Sequence, residues 1–216
     1  MAAYDLEEQE QLSALKDWWE KNNSRVTWVV LVCALALLAW TGWHRYQASQ
    51  AGETGSLYAA IQQADQAKDV VKLRALTDEI VSKHAESVLA QMATLMVAKA
   101  ETDAGDQKAA LARLDWAVNK GSDTLVRDLA RLRLAALQFD GKDNDAALKT
   151  LEAAPDKAFA ARFEDLRGDI LFAKGDAKAA VEAYKRAMTA LGENSGQASA
   201  GFRTVLQTKL DALGGA

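Results

Sequence analysis

Proline, cysteine and histidine are scarce in this chain of 216 residues, which contains one proline, one cysteine and two histidines. The single cysteine, Cys33, lies inside an apolar run, so the chain can form no disulfide within itself. His44 and His84 stand apart, and neither has a cysteine or carboxylate at a repeated ligand spacing, so no metal site is predicted. With so little proline and so many alanines and leucines, the sequence favours helices throughout.

Motifs that carry catalysis or bind cofactors are also missing. The sequence has no G-x-x-x-x-G-K-[ST], no G-x-G-x-x-G and no G-x-S-x-G. The stretch "DGKDNDAAL" offers Asp140, Asp143 and Asp145 but lacks the ligand spacing and the terminal glutamate of a calcium loop. The net charge is -4, with both signs interspersed, which argues against a nucleic-acid partner. We therefore predict a protein that is not an enzyme and has no catalytic residue, cofactor or metal.

One apolar stretch, "RVTWVVLVCALALLAWTGWHRY" (25–46), is long enough to cross a membrane. Its uncharged part, Val26 to Trp43, has 18 residues and as a helix would span roughly 27 Å, close to the thickness of a bilayer core. A cleaved export signal would start nearer the N-terminus and end at a small-residue cleavage site. A buried helix of a soluble domain would need more apolar surroundings than this chain offers. We predict a permanent transmembrane helix over 26–43, flanked by interfacial aromatic rings.

Basic residues flank this span unevenly. Lys16, Lys21 and Arg25 precede it, whereas only Arg45 follows it before Lys68. By the positive-inside rule, the tail 1–25 is predicted to be cytoplasmic and the rest of the chain to lie across the membrane. The tail either forms an amphipathic helix against the inner leaflet or is only partly ordered.

The remainder divides into a short linker and one helical domain. Residues 44–56, which include "QASQAGETGS", are small and polar and predict a flexible linker. A domain over 57–213 follows, in which glycine-containing turns recur at Gly105, Gly141 and Gly175. These glycines are 36 and 34 residues apart (141 minus 105, 175 minus 141), and a period near 34 is typical of tetratricopeptide hairpins.

The last repeat, "RFEDLRGDILFAKGDAKAAVEAYKRAM" (162–188), is the clearest. Gly168 is expected where two helices cross closely, and Tyr184 at the aromatic position. Aligning Gly141 with Gly175 places Leu134 and Ala146 at the equivalent positions of the preceding repeat. Residues 195–213 predict a capping helix. The predicted fold is all-α, with about four hairpins stacked in a solenoid; a plain bundle of alanine-rich hairpins is the alternative.

Such a solenoid would bind proteins through the groove lined by the first helix of each hairpin. The predicted groove residues, by offset from Gly168, are Arg162, Asp165, Asp169, Phe172 and, from the preceding hairpin, Asp128, Arg131 and Gln138. The alternative is that these side chains only form a solvated surface.

The tail "YDLEEQEQLSALKDWWEKN", a span ending in "GWHRYQ" and the final "DLRGDILFAKGDAKAAVEAYKRAM" together resemble the YfgM family of Gram-negative bacteria. The resemblance covers nearly the whole chain, although the tail and span are unusually rich in tryptophan. It implies an inner-membrane protein with a periplasmic tetratricopeptide-like domain that is an ancillary subunit of the SecYEG translocon. It also implies cooperation with the periplasmic chaperone PpiD, contact with exported client proteins and a link to the Rcs response regulator.

Three functions are therefore open at this stage. The first is an anchored binding scaffold at the export machinery, in contact with the lipid bilayer. The second is a structural adaptor of another envelope complex. The third is a regulator of an envelope stress response that acts through the cytoplasmic tail.

Overall fold

A computed structural model describes residues 2–192 and 197–214, and these residues form nine α-helices. The helices are α1 (Ala2–Gln66), α2 (Val70–His84), α3 (Val88–Asp103), α4 (Gln107–Lys120), α5 (Thr124–Asp140), α6 (Asn144–Thr150), α7 (Lys157–Ala173), α8 (Ala177–Leu191) and α9 (Gln197–Ala212). The described residues contain no strand, so the predicted all-α class is confirmed.

The chain divides into two compact units, Met1–Glu53 and Thr54–Ala216. The first unit consists of α1 up to Glu53 and contains the apolar run. That run forms the one helical stretch of the described residues that is long and apolar enough to cross a membrane, and none of its apolar window is buried by protein. Leu35, Leu38 and Trp40 are all more than half exposed. An exposed apolar surface of this extent requires a membrane or a partner to cover it.

The predicted linker is helical, and so is the described part of the N-terminal tail, for which an amphipathic helix was one of two predictions. Residues 44–56, predicted as a flexible linker, lie within α1, and Gly52 and Gly55 continue the helix with open space around their α-carbons. The part of the N-terminal tail that the structure describes is helical as well. Glycine lowers helix propensity by only about 1 kcal/mol, so two glycines among alanine, glutamine and glutamate do not end a helix.

The second unit is built from consecutive helical hairpins. The end of α1 shares an apolar cluster with α2. Helix α3 pairs with α4, α5 with α6 and α7 with α8, while α9 packs against the last hairpin. The predicted capping helix began at residue 195; within the described residues it is α9, whose Leu206 and Leu210 are buried against α8. Four apolar clusters follow one another along the unit, as expected for a stack in which each hairpin buries its face on its neighbours.

The four hairpin turns share one design. A residue with positive φ occupies each turn, namely Lys68, Gly105, Lys142 and Gly175. An aspartate follows directly and caps the next helix, its carboxylate accepting a hydrogen bond from the backbone N–H three residues later. The capping residues are Asp69, Asp106, Asp143 and Asp176.

The turns show that the third repeat is shifted by one residue from the sequence alignment. The left-handed residue there is Lys142 and not Gly141, whose φ is -74°. Counted from the capping aspartate, the equivalent of Gly168 is Ala135 rather than Leu134, and the buried alanine after the turn is Ala147 rather than Ala146. The alignment was wrong because a left-handed turn does not require glycine, and lysine occupies the position at a cost of about 1–2 kcal/mol.

Each hairpin has a matched pair of buried residues, eight before and eight after the capping aspartate. The pairs are Ile61 and Thr77, Ala98 and Leu114, Ala135 and Leu151, and Gly168 and Tyr184. All eight residues are buried. In the second to fourth hairpins a small residue on the first helix is matched by a large one on the second, and in the first hairpin the order is reversed.

Candidate functional site

The candidate site is the exposed side of α3, α5 and α7, the first helices of three successive hairpins, which we call the first-helix face. The sequence predicted a protein-binding groove here. The capping aspartate that ends each turn gives these helices a common reference position, because it marks where each second helix begins. The side chains on the first-helix face can therefore be compared position by position.

On α7, three of the four predicted groove residues contact α9. The Lys209 ammonium donates hydrogen bonds to Asp165 Oδ1 at 2.6 Å and to Asp169 Oδ1 and Oδ2 at 2.7 and 2.8 Å. The guanidinium of Arg162 lies 4.3 Å from the centre of the Phe202 ring, a cation–π distance. The capping helix thus occupies this part of the first-helix face.

The same cluster extends into the core through Tyr184, whose hydroxyl donates to Asp169 Oδ1 at 2.8 Å. Burial, helped by the hydrogen bond to Asp169, raises the pKa of the Tyr184 hydroxyl. Burial alone would lower the pKa of Lys209, but its hydrogen bonds to Asp165 and Asp169 raise that pKa overall. Burial raises the pKa of Asp165 even though Lys209 opposes this. These charges hold α9 in place.

The fourth residue predicted on α7, Phe172, is 54% exposed. It lies in the last turn of α7, outside the apolar clusters of the domain. Of the seven predicted groove residues it is the one that offers an apolar surface to a partner.

Of the three residues predicted on α5, Asp128 and Gln138 contact other parts of the domain, and Arg131 pairs with Asp128 on α5 itself. Asp128 is 1% exposed, accepts from Arg131 Nη1 at 2.7 Å and from the backbone N–H of Asp156 at 2.8 Å. It therefore joins α5 to the start of α7. Gln138 Oε1 accepts from the hydroxyl of Thr150 on the hairpin partner, at 2.8 Å. The predicted contact of all seven residues with a partner stays a prediction.

The part of the first-helix face on α3 and α5 is more open, and the sequence alignment did not identify it. Val88 and Met92 on α3 and Leu125 on α5 are exposed at 41%, 42% and 49%. Further along both helices is a cavity of about 310 Å³ whose lining includes Lys99, Arg133 and Asp140. With the corrected turn, Leu129, Leu132 and Ala136 are the α5 equivalents of Arg162, Asp165 and Asp169. The one-residue shift in the alignment hid this surface.

A second polar cluster lies between α2 and α4 and includes a buried carboxylate. Glu101 is 1% exposed, and its Oε1 accepts from Arg74 Nε at 2.7 Å while Arg113 Nε lies 3.8 Å away. Arg74 also bonds the capping Asp106 at 2.6 Å, and Arg113 bonds Asp78. Hydrogen bonds to the two carboxylates raise the pKa of Arg74, and the backbone N–H of Ala109, followed by Arg74, lowers that of Asp106. This network connects the first two hairpins.

No group of three or more His, Cys, Asp or Glu side chains in residues 2–192 and 197–214 is arranged to hold a metal ion. The two charged clusters, one around Lys209 and one around Glu101, are built from ion pairs that connect different helices.

Comparison with known proteins places this arrangement in a family. A model described as a tetratricopeptide repeat-like domain matches residues 16–215. Two curated relatives are each named an ancillary SecYEG translocon subunit. The protein of Haemophilus influenzae is 32% identical over 189 residues, covering 86% of this chain and 90% of the relative. That of Neisseria gonorrhoeae is 31% identical over 214 residues, covering 99% of this chain and all of the relative.

A solved structure supports the fold. The crystal structure of MamA protein aligns with a TM-score of 0.52 at 19% identity and covers 75% of this chain and 91% of its own. At this identity the likeness concerns the hairpin stack and not its ligands. The family model and the relatives matched along nearly their whole length show that this chain belongs to the YfgM family of tetratricopeptide-like proteins.

Proposed function

We propose that the protein is an ancillary subunit of the SecYEG translocon, anchored in the inner membrane by the span within α1 and exposing its hairpin domain to the periplasm. The family membership carries the proposal, because two relatives that match over nearly their whole length are each named an ancillary SecYEG translocon subunit. The exposed apolar surface of α1 supports the anchor. The excess of basic residues before the span supports a cytoplasmic N-terminus.

The proposed role is to bind proteins without chemical transformation. The hairpin domain holds exported client proteins near the exit of the translocon and cooperates there with the chaperone PpiD. Its ion pairs between helices and its exposed first-helix face support a scaffold that presents a rigid binding surface. The proposed contact with the Rcs response regulator requires the N-terminal tail, which is the part of the chain on the cytoplasmic side in this topology.

Topology can be tested with single cysteines, because Cys33 is the one native thiol. In a Cys33→Ser background, Lys178→Cys would place a thiol on an exposed position of α8, and Lys16→Cys one in the tail. A membrane-impermeant maleimide added to cells with a permeabilised outer membrane should label Lys178→Cys and leave Lys16→Cys unlabelled until the inner membrane is lysed. The reverse result would overturn the orientation.

Partners can be tested by photo-cross-linking in intact cells. A photoreactive residue at Leu35, which is 62% exposed in the span, should cross-link to a translocon subunit. Phe172, which is exposed on α7, should cross-link to PpiD or to exported proteins. Lys178, on the second helix of its hairpin, is the matched control. Absence of translocon and PpiD adducts from all positions would refute the proposal and favour an adaptor of another envelope complex.

The regulatory alternative makes a different prediction. If the protein acted through its tail alone, deleting residues 2–20 would abolish function while deleting 57–213 would not. The scaffold proposal predicts the opposite outcome, measured as export efficiency of a slowly exported reporter protein.

A further inference from the structure

An apolar patch lies on the first turns of α3 and α5. Val88 and Met92 are four residues apart on α3 and share one side of that helix, and Leu125 occupies on α5 the position that Val88 occupies on α3. Their side chains are 41–49% exposed, although neighbouring apolar residues of the same helices are buried. The corresponding position on α7 holds Ala158, so the patch is confined to these two hairpins.

Arg133 lies further along α5 without a carboxylate partner among the described residues. Its guanidinium donates one long hydrogen bond, 3.4 Å, to the carbonyl of Leu95 on α3. The partial burial of this group lowers its pKa, since desolvation disfavours the charged form. An arginine guanidinium has five N–H donors in a planar fork that matches a carboxylate. Most of its binding capacity is therefore available to a ligand.

The other charges beside Arg133 determine where a ligand carboxylate can bind. Lys99 is neutralised by Asp103 at 2.5 Å. Asp140 is seven residues beyond Arg133 on α5, roughly 10 Å along the axis, which is more than the screening length of about 8 Å at physiological ionic strength. A carboxylate is thus favoured at Arg133 and disfavoured at the end of the cavity near Asp140.

We propose that α3 and α5 bind an unfolded polypeptide segment that places apolar side chains on Val88, Met92 and Leu125 and a carboxylate on Arg133. Leu125 and Arg133 are eight residues apart, or about 12 Å along α5. An extended chain covers that distance in roughly four residues at about 3.3 Å each. The preferred ligand therefore has an aspartate or glutamate about four residues from an apolar pair. This inference rests on the proposed function in one respect only, namely that the bound segment comes from an exported protein.

The test uses the full chain in lipid nanodiscs and a fluorescein-labelled peptide, GSLLSAGDSG, measured by fluorescence anisotropy. Two control peptides replace the aspartate by asparagine or both leucines by serine. Arg133→Gln should weaken binding of the first peptide about tenfold, the loss expected for one charge-assisted contact. It should leave binding of the asparagine peptide unchanged, because that peptide does not form this contact.

Leu125→Ser should weaken binding of the aspartate and asparagine peptides equally. Lys178→Gln, which removes one exposed positive charge elsewhere, should change the binding of neither peptide. Arg133→Gln should keep the thermal midpoint of the parent, since the side chain makes one long hydrogen bond. Equal binding of the first peptide by parent and Arg133→Gln would overturn the proposal. The assay contains no translocon, so its outcome is independent of whether the protein associates with SecYEG.

Discussion

Gly168 lies against the ring of Tyr184, so closely that a β-carbon at Gly168 would stand 2.4 Å from Cε1 of that ring. The other two hairpins with a small residue on the first helix place alanine opposite leucine, as Ala98 with Leu114 and Ala135 with Leu151. The fourth hairpin has instead the smallest residue opposite an aromatic one. Glycine at a helix centre is therefore required by the size of its neighbour.

Gly168→Ala should lower the free energy of unfolding by about 1–3 kcal/mol through overpacking, despite the better helix propensity of alanine. In the double variant Gly168→Ala with Tyr184→Leu, which recreates the pair found in the second and third hairpins, the steric part of that loss should be recovered. Urea unfolding of the parent, both single variants and the double variant measures the coupling. Additive effects would contradict the steric explanation.

Lys142→Gly should stabilise the domain. Lysine at φ 65° carries left-handed strain of about 1–2 kcal/mol, and the gain from relieving it exceeds the added chain entropy of glycine, about 0.5–1 kcal/mol. Thermal unfolding followed by circular dichroism should show a higher midpoint.

Replacing glycine by alanine at two other sites tests the same explanation, because the two changes should have opposite effects on stability. Gly105→Ala, at φ 81°, should destabilise the domain by about 1 kcal/mol. Gly201→Ala, inside α9 with open space around its α-carbon, should stabilise it by up to about 1 kcal/mol. The same sign at both sites would refute the explanation.

Thr77→Val should also stabilise the domain. The Thr77 hydroxyl is buried and has no hydrogen-bond partner among residues 2–192 and 197–214. Replacing it by a methyl group of similar size removes the desolvation penalty, worth about 1–3 kcal/mol. Chemical denaturation measures the change, and Thr208→Val on exposed α9 should have an effect within about 0.5 kcal/mol. A loss of stability in Thr77→Val would show that the hydroxyl is satisfied in solution.

The contact of α9 with α7 should weaken at alkaline pH. The pKa values of Lys209 and Tyr184 are both raised in the folded state from ordinary values of 10.5 and 10.0. Their contribution is complete below those ordinary values and is lost as the pH rises through the raised ones.

We therefore expect the thermal midpoint of the parent to fall more steeply above pH 10 than that of Lys209→Gln. The variant should start from a lower midpoint at pH 8, because it leaves Asp165 and Asp169 without their cation. Lys178→Gln should follow the parent curve throughout. Parallel curves for Lys209→Gln and the parent would contradict the assignment.

Much of the fold was predictable from the sequence, because its signals are local. The apolar run, the turns at Gly105 and Gly175 and the Gly168 and Tyr184 positions are all as predicted. The third turn was misplaced, since lysine adopts there the conformation that glycine indicates elsewhere. That shift by one residue rotates an α-helix by about 100°. The shifted alignment therefore assigned residues such as Asp128, which lies in the packing between hairpins, to the first-helix face of α5.

The contacts of the predicted site could not be read from the sequence for a different reason. Asp165 and Asp169 have the pattern of an open acidic surface, and only the return of α9 brings Lys209 onto them, 44 and 40 residues later. Arg133 presents the opposite case. Nothing in its local sequence distinguishes it from Arg131, and the packing of α5 on α3 leaves one arginine unpaired while the other meets a buried carboxylate.

The docking of Lys209 also determines which hairpin α9 can cap. The α3 and α5 positions equivalent to Asp165 and Asp169 hold Leu95 with Lys99 and Leu132 with Ala136. None of these offers a carboxylate to the Lys209 ammonium, so α9 can close the array on the last hairpin and on no earlier one. An extra hairpin could be inserted before α7 without altering this closure, whereas one added after α8 would have to carry its own pair of acids.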